Sequence, residues 1–160
     1  MNNQLSEHFS LDEFTRSFAA TRLGIDNTPP VEAVSNLQCL CQEVLEPLRR
    51  HARRPVVISS GYRSRQLNQA VGGATRSQHC KGEAADIHIP DIRTGHEWFH
   101  YIATHLSFDQ LIWEYVGTAA WIHVSHRRRH ADNRHQILAK GMAASPKSSP
   151  KGKDLPSGRK

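Results

Sequence analysis

Residues 77–89, S-Q-H-C-K-G-E-A-A-D-I-H-I, pass from a polar turn into small and β-branched apolar residues with one aspartate among them. Gly82 permits the turn, and the run from about 84 to 89 reads as a buried strand. An aspartate flanked by Ala84, Ala85, Ile87 and Ile89 leaves water as that strand packs, and a buried carboxylate needs a compensating partner. His79 lies seven residues earlier, across the turn, and a second apolar-flanked histidine, His123, sits in W-I-H-V-S. Two imidazoles and one carboxylate match the ligands of a catalytic zinc ion, which keeps a fourth position for water. A buried Asp–His hydrogen bond without metal is the alternative. His88, two residues beyond Asp86 on the same strand face, is a minor candidate, either as a competing ligand or as a partner behind the ligands.

Outward from this stretch the pattern is helical first and stranded later. Ser10 and Glu13 form a capping box ahead of Phe14, Phe18 and Leu23, predicting a short helix from about 11 to 22. From Val31, apolar residues recur at Val34, Leu37, Cys41, Val44, Leu45 and Leu48, a helix with one buried stripe that Pro47 bends near its end. P-V-V-I-S-S (55–60) reads as a buried strand closed by Gly61, followed by a polar helix that ends at Gly72-Gly73. Beyond the aspartate strand, a helix from about 94 to 105 turns Trp98, Phe99 and Ile102 inward. Strands around 108–114 and 120–125 finish the ordered part. Segregated elements with short connections between the last strands give an α+β fold, with a mainly antiparallel sheet packed by helices.

The chain has 160 residues, enough for one domain with a single core. We expect that domain over 1–138. The segment 139–160 is rich in Pro, Ser, Gly and Lys and reads as a basic disordered tail. Three cysteines, Cys39, Cys41 and Cys80, argue against a disulfide framework and read as small buried hydrophobes. No apolar run spans eighteen residues, and the first thirty lack a secretory pattern, so synthesis in a cytoplasm is expected. The net charge of +6 favours approach to a polyanion, whether nucleic acid, anionic lipid or an acidic cell-wall polymer. Nucleic acid is the weakest of these, because zinc-finger spacing, helix-turn-helix cues and aromatic-interleaved basic strands are missing.

Eleven histidines make any single one weak evidence. His8, His51, His96, His100, His105, His126, His130 and His135 lie in polar or basic surroundings and read as surface residues. A zinc hydrolase also needs a group that takes a proton from water and returns it to the leaving amine. The nearest acidic residue on an apolar strand is Glu114, in F-D-Q-L-I-W-E-Y, which reads either as that base or as a solvated strand end. Arg63, at the turn after Gly61, suits a substrate carboxylate or a developing oxyanion; a plain surface arginine is the other reading.

Taken together, Gly61-Tyr62-Arg63-Ser64, the pattern S-x-H-x-x-G-x-A-x-D spelled by Ser77, His79, Gly82, Ala84 and Asp86, and W-I-H-V-S around His123 resemble the zinc D-alanyl-D-alanine carboxypeptidase family of peptidoglycan peptidases. That family sits in a wider group with lysostaphin-type enzymes and the hedgehog signalling domain. The resemblance covers about residues 5 to 130 and includes the opening H-F-S-L-D-E-F. It implies a hedgehog/D-Ala-D-Ala peptidase-like fold and one Zn2+ held by His79, Asp86 and His123. It further implies that Arg63 engages substrate and transition state, and that Ser77 orients the substrate or the ligand loop. Many relatives place Glu three residues, or His two residues, before the last ligand, where this chain has Ala120 and Trp121. The pattern D-Q-L-I-W-E resembles smaller members with a glutamate at the position of Glu114, which implies Glu114 as the catalytic base.

The implied function is hydrolysis of peptidoglycan stem peptides through a zinc-activated water, by a monomeric D-Ala-D-Ala carboxypeptidase or endopeptidase. Its place of action would be the bacterial cell wall, reached after release in the manner of an endolysin, from a phage or a bacterium. The competing expectation is a zinc-stabilised, catalytically inactive module that binds the cell wall or a protein. Ala120 and Trp121 favour that reading.

Overall fold

A computed structural model describes residues 3–142 of the chain. Its elements run α1 (Leu11–Thr15), α2 (Phe18–Leu23), α3 (Val31–Leu40), a π turn (Cys41–Leu45), α4 (Glu46–Ala52), β1 (Ile58–Ser60) and α5 (Arg65–Ala70). A 3-10 turn (Gln78–Lys81) then leads into β2 (Ala84–His88), α6 (Ile92–His105), β3 (Gln110–Val116) and β4 (Ala119–Ser125). A second 3-10 turn (His130–Asp132) precedes β5 (Gln136–Met142). The strands form one sheet in the order β1-β2-β4-β3-β5, antiparallel throughout except for the parallel pairing of β3 with β5. This is the α+β, mainly antiparallel fold expected from the sequence. No helix among the described residues is long and apolar enough to cross a membrane.

Alternation along the strands sorts side chains onto two faces. Ala85, Ile87, Leu111, Ile122 and Val124 join Leu37, Leu40, Val44, Leu45 and Leu48 of the long helical stretch, and Trp98 and Ile102 of α6, in one buried cluster. Asp86, His123 and Ile112 lie side by side across β2, β4 and β3 on the other face. The helices therefore cover one side of the sheet, and the other side carries the polar groups.

Four details depart from the sequence reading. The first helix is split at Arg16-Ser17, because the Ser17 hydroxyl caps α2 by accepting from Ala20 N at 3.1 Å. The second, which Pro47 was expected to bend, contains a π turn ahead of that proline, where Glu46 N–H reaches the Cys41 carbonyl, and continues to Ala52. Of the strand expected over 55–60, only Ile58–Ser60 forms β1, with a register shift against β2, although the Val57 carbonyl also accepts from His88 N at 2.9 Å. Finally, residues 139–142, expected in the tail, belong to β5; residues 143–160 lie outside the described part.

A fully buried aspartate places β5. Asp109 accepts hydrogen bonds from Arg134 at N (3.0 Å), Nε (3.0 Å) and Nη2 (2.8 Å). Arg127 Nε stands 3.3 Å from Asp109 Oδ2, close enough for charge attraction though not aligned as a hydrogen bond. Burial by itself raises the Asp109 carboxyl, but the Arg134 hydrogen bonds and the charges of both arginines override it, taking it from 3.8 to about 2. A carboxyl depressed on folding stabilises the native state above its unfolded value and loses that contribution as pH falls through its folded value. Asp109→Asn is therefore expected to cost about 2 kcal/mol at neutral pH. It should also flatten the acid dependence of stability between about pH 4 and 2. Urea denaturation across that pH range checks both effects.

Candidate metal centre

The turn before β2 sets the position of His79. Ser77 begins it, its hydroxyl accepting from His79 N at 3.2 Å, and Gly82 ends it in the left-handed region at φ 71°. Asn36 Nδ2 donates to the Lys81 carbonyl at 2.8 Å and ties the turn to α3. Left-handed backbone costs a non-glycine residue about 1–2 kcal/mol, and a Cβ at Gly82 would also collide with the Ala33 carbonyl. Gly82→Ala is thus expected to destabilise the fold by about 2 kcal/mol or more. It should loosen metal binding through His79, and thermal melting with and without zinc reads both.

His79 is buried, and its Nδ1 lies 2.6 Å from the Gly61 carbonyl oxygen. A carbonyl only accepts, so Nδ1 carries a hydrogen, and in the neutral ring the lone pair is then on Nε2. That Nε2 stands 3.4 Å from Asp86 Oδ1, and His123 Nδ1 lies 2.9 Å from the same oxygen. Asp86 is 8% exposed; burial pushes its carboxyl up, yet the hydrogen bonds and charges of His123 and His79 hold it well below the ordinary carboxylate range. The positive charge that this pairing needs comes from a proton on Nε2 or from a metal ion held between Nε2 and the carboxylate. Metal–ligand bonds of about 2.0–2.1 Å around a tetrahedral centre separate the donors by about 3.3 Å, close to the observed His79–Asp86 spacing. One donor atom from each of the three residues lies within 4.8 Å of the others. The group fits a zinc ion.

Arg63 approaches from the turn after β1. Its Nη2 is 3.7 Å from Asp86 Oδ2, Nε donates to Ser60 Oγ at 3.3 Å, and Nη1 donates to Asn68 Oδ1 at 3.2 Å. Asn68 is itself fixed by donating to the Ala74 carbonyl at 2.9 Å. The guanidinium is thereby held beside the three donors, 19% exposed. Glu114 lies on the same sheet face as His123: Ile112 is opposite His123, and Glu114 is two residues further along β3, opposite Trp121. It is half-buried and lines the cleft that contains His79, Asp86, His123 and Arg63.

The structure therefore brings the six residues expected at a site to one cleft: His79, Asp86, His123, Arg63 and Glu114 line it, and Ser77 lies behind His79 and also on its wall. His88 is not part of the group. It lies exposed at the end of β2, opposite Trp121, one pleat too far along the strand. His126, expected on the surface, is 1% exposed, because β4 carries it down against α3. The sequence reading also missed a ring of cations: Arg76, Lys81, Arg127, Arg134 and Lys140 line the same cleft as Arg63. Their only trace in the sequence was the general basic excess; β5 and the segment joining it to β4 bring Arg127, Arg134 and Lys140 to the site.

Across residues 7–125 the chain matches a family model described as Peptidase M15. No curated protein matches it.

Proposed function

Since the chain belongs to the Peptidase M15 family, zinc peptidases of the peptidoglycan-peptidase kind, we propose that His79, Asp86 and His123 hold one zinc ion, with which the protein hydrolyses an amide bond of a peptidoglycan stem peptide. The observation that carries this reading is His79, its Nδ1 on the Gly61 carbonyl and its Nε2 3.4 Å from the buried Asp86, beside His123 in a cation-lined cleft. When bound there, zinc supplies Lewis acidity, lowering the pKa of water and drawing charge from the scissile carbonyl. Glu114 accepts the proton from the attacking water and delivers it to the departing amine. Arg63, braced by Ser60 and Asn68, takes the negative charge that develops on the carbonyl oxygen or a carboxylate on the substrate. Ser77 keeps the His79 turn in place.

The cations set the substrate class. Arg127 and Arg134 are partly neutralised by Asp109. Arg76, Lys81 and Lys140 add further positive charge around the same cleft. Such a cleft concentrates a peptide bearing several carboxylates, as stem peptides do through D-Glu, diaminopimelate and a free D-Ala terminus. A terminal D-Ala-D-Ala bond and an internal bond such as L-Ala-D-Glu both satisfy this chemistry.

Mass spectrometry of intact muropeptides after incubation with the zinc-loaded protein tests the proposal. The expected result is loss of a terminal alanine or release of an internal fragment, abolished by a chelator and restored by zinc. Muropeptides left intact by protein with full zinc content would instead support the binding-module reading, which Ala120 and Trp121 favour.

A further inference from the structure

Of the cations that line the cleft, Arg63 and Arg127 are half-buried, whereas Arg76, Lys81, Arg134 and Lys140 are exposed. A guanidinium partly withdrawn from water pairs more strongly with an anion than an exposed one does, because solvent screens it less. Arg63 stands 3.7 Å from Asp86 and serves the bond to be cut. Arg127 comes from a different element, four residues beyond His123 on the chain leaving β4, and has no task of its own in the reaction.

Its one charged neighbour is already taken. Arg134 grips both oxygens of the buried Asp109, donating from N and Nε to Oδ1 and from Nη2 to Oδ2. Arg127 Nε stands 3.3 Å from Oδ2 without an aligned hydrogen bond, and it is sealed from solvent with no hydrogen-bond partner among the described residues. A single carboxylate thus faces two guanidiniums and leaves positive charge unmatched. The Arg127 side chain is 39% exposed, so its terminal nitrogens are the donors left for a ligand. The root of that side chain is fixed, because Arg127 N donates to Asn133 Oδ1 at 2.8 Å and Asn133 Nδ2 donates back to the Arg127 carbonyl at 3.1 Å. A rooted, half-buried guanidinium with free donors is suited to receive a carboxylate.

We propose that Arg127 determines specificity by pairing with a second carboxylate of the peptide substrate, on a residue removed from the scissile bond. The inference rests on the peptidase reading and deepens it. Four residues separate Arg127 from His123, at most about 14 Å of backbone, which a short extended peptide leading away from the metal ligands can cover. A stem peptide offers carboxylates on D-Glu and diaminopimelate, and amidation of either removes its charge. Arg127 lies beyond the stretch matched by the family, residues 7–125.

Stem pentapeptides with free carboxylates, and the same peptides amidated at D-Glu or at diaminopimelate, test this with the zinc-loaded, full-length protein. Wild-type kcat/KM is expected to be at least about tenfold higher for the free peptide than for one of the amidated forms, the worth of a charge-assisted hydrogen bond. Arg127→Gln should abolish that preference by raising KM for the free peptide to that of the amide, with kcat and zinc content nearly unchanged. Arg127→Lys should restore part of it. The Gln variant should keep its fold, because Asp109 retains its hydrogen bonds from Arg134, and thermal melting checks this. A preference that survives Arg127→Gln overturns the proposal, as does a wild type that treats all three peptides alike. If none of the peptides is cleaved, the peptidase reading fails, and calorimetric titration then reads the same preference in Kd; equal or absent binding overturns the Arg127 assignment as well.

Discussion

Glu114→Gln is expected to lower turnover of a soluble stem peptide by about 10²–10⁴-fold, the range for removal of a positioned general base, while zinc content stays at the wild-type level. The amide keeps the size of the carboxylate and most of its hydrogen-bonding capacity, so the half-buried position on β3 is preserved. What disappears is the ability to take a proton. No other acidic side chain besides Asp86 lines the cleft among the described residues, and Asp86 is committed to two imidazoles and Arg63. Because the proposal assigns substrate binding to the surrounding cations, the loss should fall on kcat rather than on KM. Steady-state kinetics with metal analysis of the same sample decides the matter; turnover within a few-fold of wild type would remove Glu114 from the proton path.

Asp86→Asn should have the second large effect, through metal affinity. The asparagine retains an oxygen but loses the charge that offsets the cation and joins both imidazoles. Zinc affinity should fall by more than the roughly 10–100-fold typical of lost outer-shell partners, and hydrolysis should fall with it. Arg63 Nη2, now 3.7 Å from the carboxylate, would lose its nearest anion in the cleft. Competition with a chromophoric chelator measures the change, and wild-type affinity in the variant would show that the three residues do not form the ligand set.

Much of the site was legible because it is written locally. The H-x6-D spacing, Gly82 between the two, and the apolar flanks of Asp86 and His123 specify a turn and two paired strands, and the register confirms Asp86 opposite His123. What sequence could not show depends on contacts distant along the chain. His126 lies in a basic run that reads as solvated surface, yet strand β4 carries it 87 residues from Cys39 into contact with that thiol. β5 was hidden because Q-I-L-A-K-G-M is weakly apolar and adjoins a polar segment; its place is fixed by hydrogen bonds from Gln136 N to the Asp109 carbonyl and by the Arg134 clasp on the same aspartate. Lys140 and Arg134 therefore entered the cleft through tertiary pairing rather than through local pattern. His88 failed for the converse reason: strand alternation gives the correct face, but not how far along it a cleft extends.

The most direct measurement is an anomalous difference map at the zinc absorption edge, from crystals grown with saturating zinc. A strong peak bounded by His79 Nε2, the Asp86 carboxylate and His123, open toward Glu114 and Arg63, is the expected result. Zinc-saturated crystals with no peak there, and with Asp86 still bonded to His123 as a metal-free pair, would contradict the assignment of these residues as a catalytic metal centre.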